Sequence, residues 1–91
     1  MAIGREARRD EQRGRVQEEF PGEVAVVMQV LDLLDLAWHD CFGEVAPPQQ
    51  VIDDLFVAAE GDLRLLIDSA HLAISDWRDL RLRADVIRQR T

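Results

Sequence analysis

Between Glu23 and Phe42 the apolar residues fall along two adjacent helical seams, and no other stretch restricts the fold as strongly. Val26, Val30, Leu33 and Ala37 form the first; Val27, Leu31, Leu34 and Trp38 form the second, which Cys41 continues, each advancing by four and three residues. A helix resting on a protein surface needs an apolar arc of only about 100°. Two adjacent seams cover roughly half of the circumference, so this helix is expected to be central, with a packed neighbour on each flank. Its polar strip is narrow: Gln29, Asp32, Asp35, His39 and Asp40, interrupted by Met28 and Leu36. A membrane span of roughly 20 apolar residues would carry Asp32 and Asp35 near its middle, each at a cost of roughly 2.5–3.5 kcal/mol. At an aqueous edge the same carboxylates cost almost nothing, and no membrane association is expected.

With 91 residues the chain makes one domain at most, its core small relative to its surface, so association is expected to add to its stability. An apolar fraction of 47% argues against wholesale disorder. A single cysteine allows no disulfide within the chain. Arg5, Glu6, Arg8 and Arg9 stand where a signal peptide would be apolar, and together these features point to a reducing cytoplasm. All eleven basic residues are arginine, a codon bias that suggests a GC-rich bacterial genome.

Charge is unevenly distributed. Residues 1–19 balance five arginines against five carboxylates, residues 20–79 carry twelve carboxylates against Arg64 and Arg78, and residues 80–91 set four arginines against Asp85. The body is acidic and the tail basic, and an acidic body repels phosphate backbones at long range, which disfavours nucleic acid as a general partner.

Residues 1–22 read as a charged flexible arm, because Ile3, Val16 and Phe20 are too sparse to anchor a helix face and pairs such as Glu6 with Arg9 support only transient helix. Pro21 and Gly22 end the arm, and the bundle domain is expected over 23–91. Glu23 suits the first turn of the central helix, whose dipole favours negative charge there. That helix is expected to stop near Gly43. A second, from Pro48 to Ala59, buries Val51, Ile52, Leu55, Phe56 and Ala59 on one face. Gly61 suits the left-handed residue that closes it, and Asp62 the N-cap of a third.

The third helix starts at Leu63 and keeps Leu66, Ile67, Ala70, Ala73, Ile74, Trp77 and Leu80 on one face, so that both tryptophans are expected in the core. Beyond Asp79, Leu80, Leu82, Ala84 and Val86 alternate with charged residues at a strand period. Helix-forming residues without a breaker favour continuation to about Ile87. The fold expected is therefore all-α, a small antiparallel three-helix bundle. Met28, Leu36, Leu65 and Leu72 do not fit inside it, and their helical spacing suggests a second contact surface that a copy of the same chain would cover about a two-fold axis.

Chemistry-bearing residues are few. Trp38, His39, Asp40 and Cys41 are consecutive, but helical neighbours point about 100° apart and cannot converge, and Cys41 is expected to turn inward. Asp32, Asp35 and His39 share one strip, as do Asp68 and His71, which are ingredients of a metal site inside a bundle. Both strips are expected to face water, with Asp35 pairing loosely to His39. Asp53, Asp54, Glu60 and Asp62 match no EF-hand loop and read as a soluble acidic surface. Asp76, Arg78, Asp79, Arg81 and Arg83 read as helix-surface ion pairs, and the tail arginines could complement the acidic body of a sister subunit. A phosphate-cradling loop, a nucleophile elbow and a zinc-type cysteine pair are all absent from the sequence.

The sequence implies no cofactor. The leading expectation is a non-enzymatic, homodimeric helical interaction module offering an acidic surface to another protein. The alternative is a metal-binding or enzymatic bundle that uses Asp32, Asp35, His39, Asp68 and His71.

Overall fold

A computed structural model describes residues 5–90, and all of its regular structure is helical: α1 (Arg5–Glu19), α2 (Val24–Phe42), α3 (Gln49–Ala59) and α4 (Leu63–Gln89). None of these helices is long and apolar enough to cross a membrane. The helix count is four where the sequence suggested three, because residues 5–19 of the expected arm are helical. Ile3 and the side chain of Glu6 lie outside the described residues. Gln12 and Val16 of α1 and Phe20 just past its end repeat every four residues, and all three are buried. Phe20 meets Phe56 with ring centroids 6.2 Å apart, and the Arg15 guanidinium covers the same Phe56 ring at 4.4 Å. Two apolar residues suffice because Arg8, Arg9 and Arg15, which precede them, bond to carboxylates on α2 and α3.

Helix α2 packs against α1 and α4. Val27, Leu31, Leu34 and Trp38 are buried as the second seam required, but the first seam is largely open, with Val26 45% and Leu33 65% exposed. The helix ends where Gly43 adopts φ 73°, a conformation that favours glycine, and the Gly43 N–H donates to the His39 carbonyl. Pro48 caps the start of α3. At its end Glu60 and Gly61 both take positive φ, and the carboxylate of Asp62 then accepts the Leu65 N–H at 3.0 Å, the N-cap expected for the following helix.

Helix α4 does not run straight. A straight helix of 27 residues spans about 40 Å, yet Arg90 beyond its end lies 4.0 Å from Glu60 before its start, and Arg88 lies 2.9 Å from Asp54 of α3. The chain therefore folds back inside α4, at Asp76, whose backbone is extended (φ −162°, ψ 90°). The Asp76 carboxylate accepts the N–H groups of Arg78 and Asp79 at 3.0 and 3.4 Å, which makes it the N-cap of the second arm, residues 77–89. Leu80 and Ala84 of that arm are buried while Leu82 and Val86 are exposed. The alternation that resembled a strand is thus an i, i+4 helical face with apolar residues left outside it.

Candidate functional site

The aspartates and histidines read as a possible metal set are dispersed. Asp35 does not face water: it is buried, and its Oδ2 accepts hydrogen bonds from Arg8 at 3.2 Å and from Arg9. Arg9 also pairs with Asp32 at 2.9 Å. His39 is exposed and borders a shallow depression with Asp35, Leu36 and Val45, but Asp35 is already paired with the arginines of α1 rather than with this imidazole. Asp68 is exposed on α4, and His71 lines a different groove. Among the described residues no three His, Cys, Asp or Glu side chains gather closely enough to hold a metal ion.

Asp53 and Asp54 are also more than an acidic surface. Asp53 accepts hydrogen bonds from Arg15 at 2.8 Å and Gln49 at 2.9 Å. Partial burial opposes its ionisation, but those hydrogen bonds and the nearby charges of Arg15 and Arg88 outweigh it and hold the carboxyl below its ordinary value. Asp54 is buried and paired with Arg88 at 2.9 Å and Arg81 at 3.6 Å. Hydrogen bonds from Arg88 to Asp54 and Asp85 raise the arginine pKa further. The tail arginines Arg81, Arg88 and Arg90 accordingly pair with carboxylates of their own chain.

The four residues expected on a second contact surface differ in burial. Met28 is buried, Leu72 packs against the core, and Leu36 and Leu65 are exposed. Apolar exposure is concentrated elsewhere. Val30, Leu33 and Ala37 of α2 face Ile67, Ala70 and Ile74 of α4 across a groove of about 320 Å³, where His71 is the sole polar side chain of the lining. Their helical spacing is plain in the sequence, but that spacing is the same for a buried face and an open one.

A second concavity, about 230 Å³, lies where the end of α2, the start of α3 and the fold-back of α4 meet. Trp38, Phe42 and Trp77 line it together with Glu44, Asp54 and Arg81. Trp38 is buried as expected, but Trp77 is 38% exposed at the mouth rather than in the core. Cys41 is likewise exposed, not turned inward. Trp38 and Phe42 pack with ring centroids 4.2 Å apart, and Trp38 Nε1 donates to Glu44 Oε1 at 2.9 Å. Nothing in the sequence joined Trp38 to Trp77, because the break at Asp76 that brings them to one pocket has no proline or glycine to mark it.

Comparison with family models, with curated proteins and with solved structures finds no match to this chain.

Proposed function

We propose that the chain is a non-enzymatic interaction module that works as a homodimer and presents an acidic outer surface to another protein. The observation that carries this reading is the open groove between α2 and the first arm of α4. Leu33 and Ile67, on its two walls, are 65% and 47% exposed, and its lining holds no aspartate, glutamate or arginine. Contiguous apolar surface of this kind is characteristic of interaction sites. A second copy is the simplest occupant: the protomer is small, its core benefits from further burial, and a two-fold axis would set the same groove against itself.

The alternative of a metal-binding or enzymatic bundle has no observation in its favour, since Asp32, Asp35, His39, Asp68 and His71 do not converge among the described residues. Sedimentation equilibrium over a wide concentration range tests the proposal. A mass approaching twice the 10.4 kDa protomer is expected, reverting to one protomer in Leu33→Arg. A single-protomer mass at every concentration would overturn it.

A further inference from the structure

We propose that the second arm of α4, residues 77–89, is exchanged between two copies of the chain, each arm packing on the α3 of the other. The hairpin of α4 turns on a single residue: Asp76 alone leaves helical geometry, and residues 72–80 contain neither glycine nor proline. Sharp breaks in helices ordinarily need one of those residues or a side chain inserted among the backbone bonds. Here the insert is the Asp76 carboxylate, which accepts the N–H groups of Arg78 and Asp79. In an uninterrupted helix the same two groups would donate to the carbonyls of Ile74 and Ser75. A bent and a straight α4 both satisfy these donors, and one side chain decides between them.

What a straight α4 gives up is the seat of its second arm. That arm buries Leu80 and Ala84, pairs Arg81 and Arg88 with Asp54 of α3, and brings Arg90 to Glu60 just past the end of α3. Another copy offers the same residues, so an exchanged arm remakes these contacts unchanged.

The arms also suit a reciprocal exchange. Asp76 is the midpoint of Leu63–Gln89, so they are equal in length, and the approach of Arg90 to Glu60 shows that they run antiparallel. Two straight α4 helices can then lie side by side about a two-fold axis near Asp76, each second arm beside the first arm of the other copy. The hairpin holds an arm at its own α3 with an effective concentration on the order of 1 mM. Exchange is therefore favoured by high protein concentration or by loss of the Asp76 cap. It does not use Leu33, and is independent of pairing through the α2–α4 groove.

The test is made in Leu33→Arg, which removes groove association, with Cys41→Ser, Gln50→Cys and Arg81→Cys. The Arg81 guanidinium lies 3.5 Å from Gln50 Oε1, so a short bis-maleimide links the two new cysteines within one chain when the arm is at home and between chains when it is exchanged. Denaturing gels separate the products after unfolding in urea and refolding. Refolded at about 10 µM this parent is expected to link within itself, and at about 1 mM to give an interchain dimer as well. Asp76→Ala removes the cap and favours continuous helix, by about tenfold per chain, so its dimer is expected at roughly hundredfold lower protein concentration, whereas Asp76→Asn keeps the cap and follows the parent. Circular dichroism checks native helicity in each. The proposal is overturned if neither the parent at about 1 mM nor natively helical Asp76→Ala shows an interchain link, if dimers form whose links stay within each chain, or if Asp76→Asn exchanges as readily as Asp76→Ala.

Discussion

Arg9 of α1 donates to the buried carboxylate of Asp35 on α2, 26 residues along the chain, and Arg8 reaches the same oxygen from 3.2 Å. Asp35 is the one carboxylate of α2 fully withdrawn from water, and its side chain is only 4% exposed against 29% for Arg8 and 12% for Arg9. A buried ion pair gives little net stability over an apolar pair of the same shape, but removing one partner leaves an uncompensated charge. The arrangement therefore fixes where α1 sits more than it strengthens the fold.

The double variant Arg8→Ala/Arg9→Ala is expected to lose about 3 kcal/mol, the lower end of the range for breaking a buried pair, because α1 can lift and rehydrate Asp35. Urea unfolding followed by circular dichroism measures it. A loss below about 1 kcal/mol, the range of exposed pairs, would mean that α1 is not seated on α2 through these residues.

At Asp76 the expected effect is smaller and more specific. Its carboxylate holds the first N–H groups of the second arm of α4, so Asp76→Ala is expected to cost about 1 kcal/mol, whereas Asp76→Asn, an equally good N-cap, should stay within a few tenths. Thermal or urea unfolding of both variants separates capping from any contribution of charge. Equal losses in the two would show that the side chain does not cap this arm.

The acid side of the stability profile follows from Asp53. Its folded-state pKa is lowered from 3.8, so the native state binds fewer protons than the unfolded chain in that range. The stability this contributes is fully present above about pH 4 and is lost as pH falls through the lowered folded value. Asp53 is 45% exposed at its side chain, so the contribution is that of a screened pair, below about 1 kcal/mol. Asp53→Asn is expected to flatten the change in urea midpoint between pH 5 and pH 3 relative to the parent chain, and an unaltered difference would remove Asp53 from the acid transition.

How much of this was legible beforehand differs by element. Gly43 and Asp62 mark helix ends through local backbone requirements and act as their types suggest, whereas the left-handed residue that closes α3 is Glu60, with Gly61 following it at positive φ. The second seam of α2 and the apolar face of α3 are buried because periodicity reports amphipathicity directly. What periodicity cannot report is the partner. Arg8, Arg9 and Arg15 look like solvated charges until the folded chain supplies Asp35, Asp32 and Asp53 across it, so the local pattern of α1 reads as an arm. The first seam of α2 looked like core by the same logic, since an unpartnered apolar face and a buried one have identical spacing. Trp77 was misplaced because the break before it is made by an aspartate side chain, a residue common on helix surfaces.

That open first seam gives the sharpest contrast between residues of one helix. Met28 is 8% exposed and Leu33 is 65% exposed, although both are large, apolar and five positions apart on α2. Met28→Ala removes packing inside the protomer and is expected to cost about 2 kcal/mol or more of stability without changing the assembly of the folded chain. Leu33→Ala is expected to leave protomer unfolding nearly unchanged and to weaken pairing. Salt gives an independent reading of the force involved. Two copies that each carry a net charge of −7 repel one another, and salt screens that repulsion, so apolar pairing should tighten as ionic strength rises from about 0.01 to 1 M. Sedimentation velocity across that series distinguishes the cases: pairing that weakened with salt would indicate association held by opposite charges, and the α2–α4 groove would then not be the surface that joins the copies.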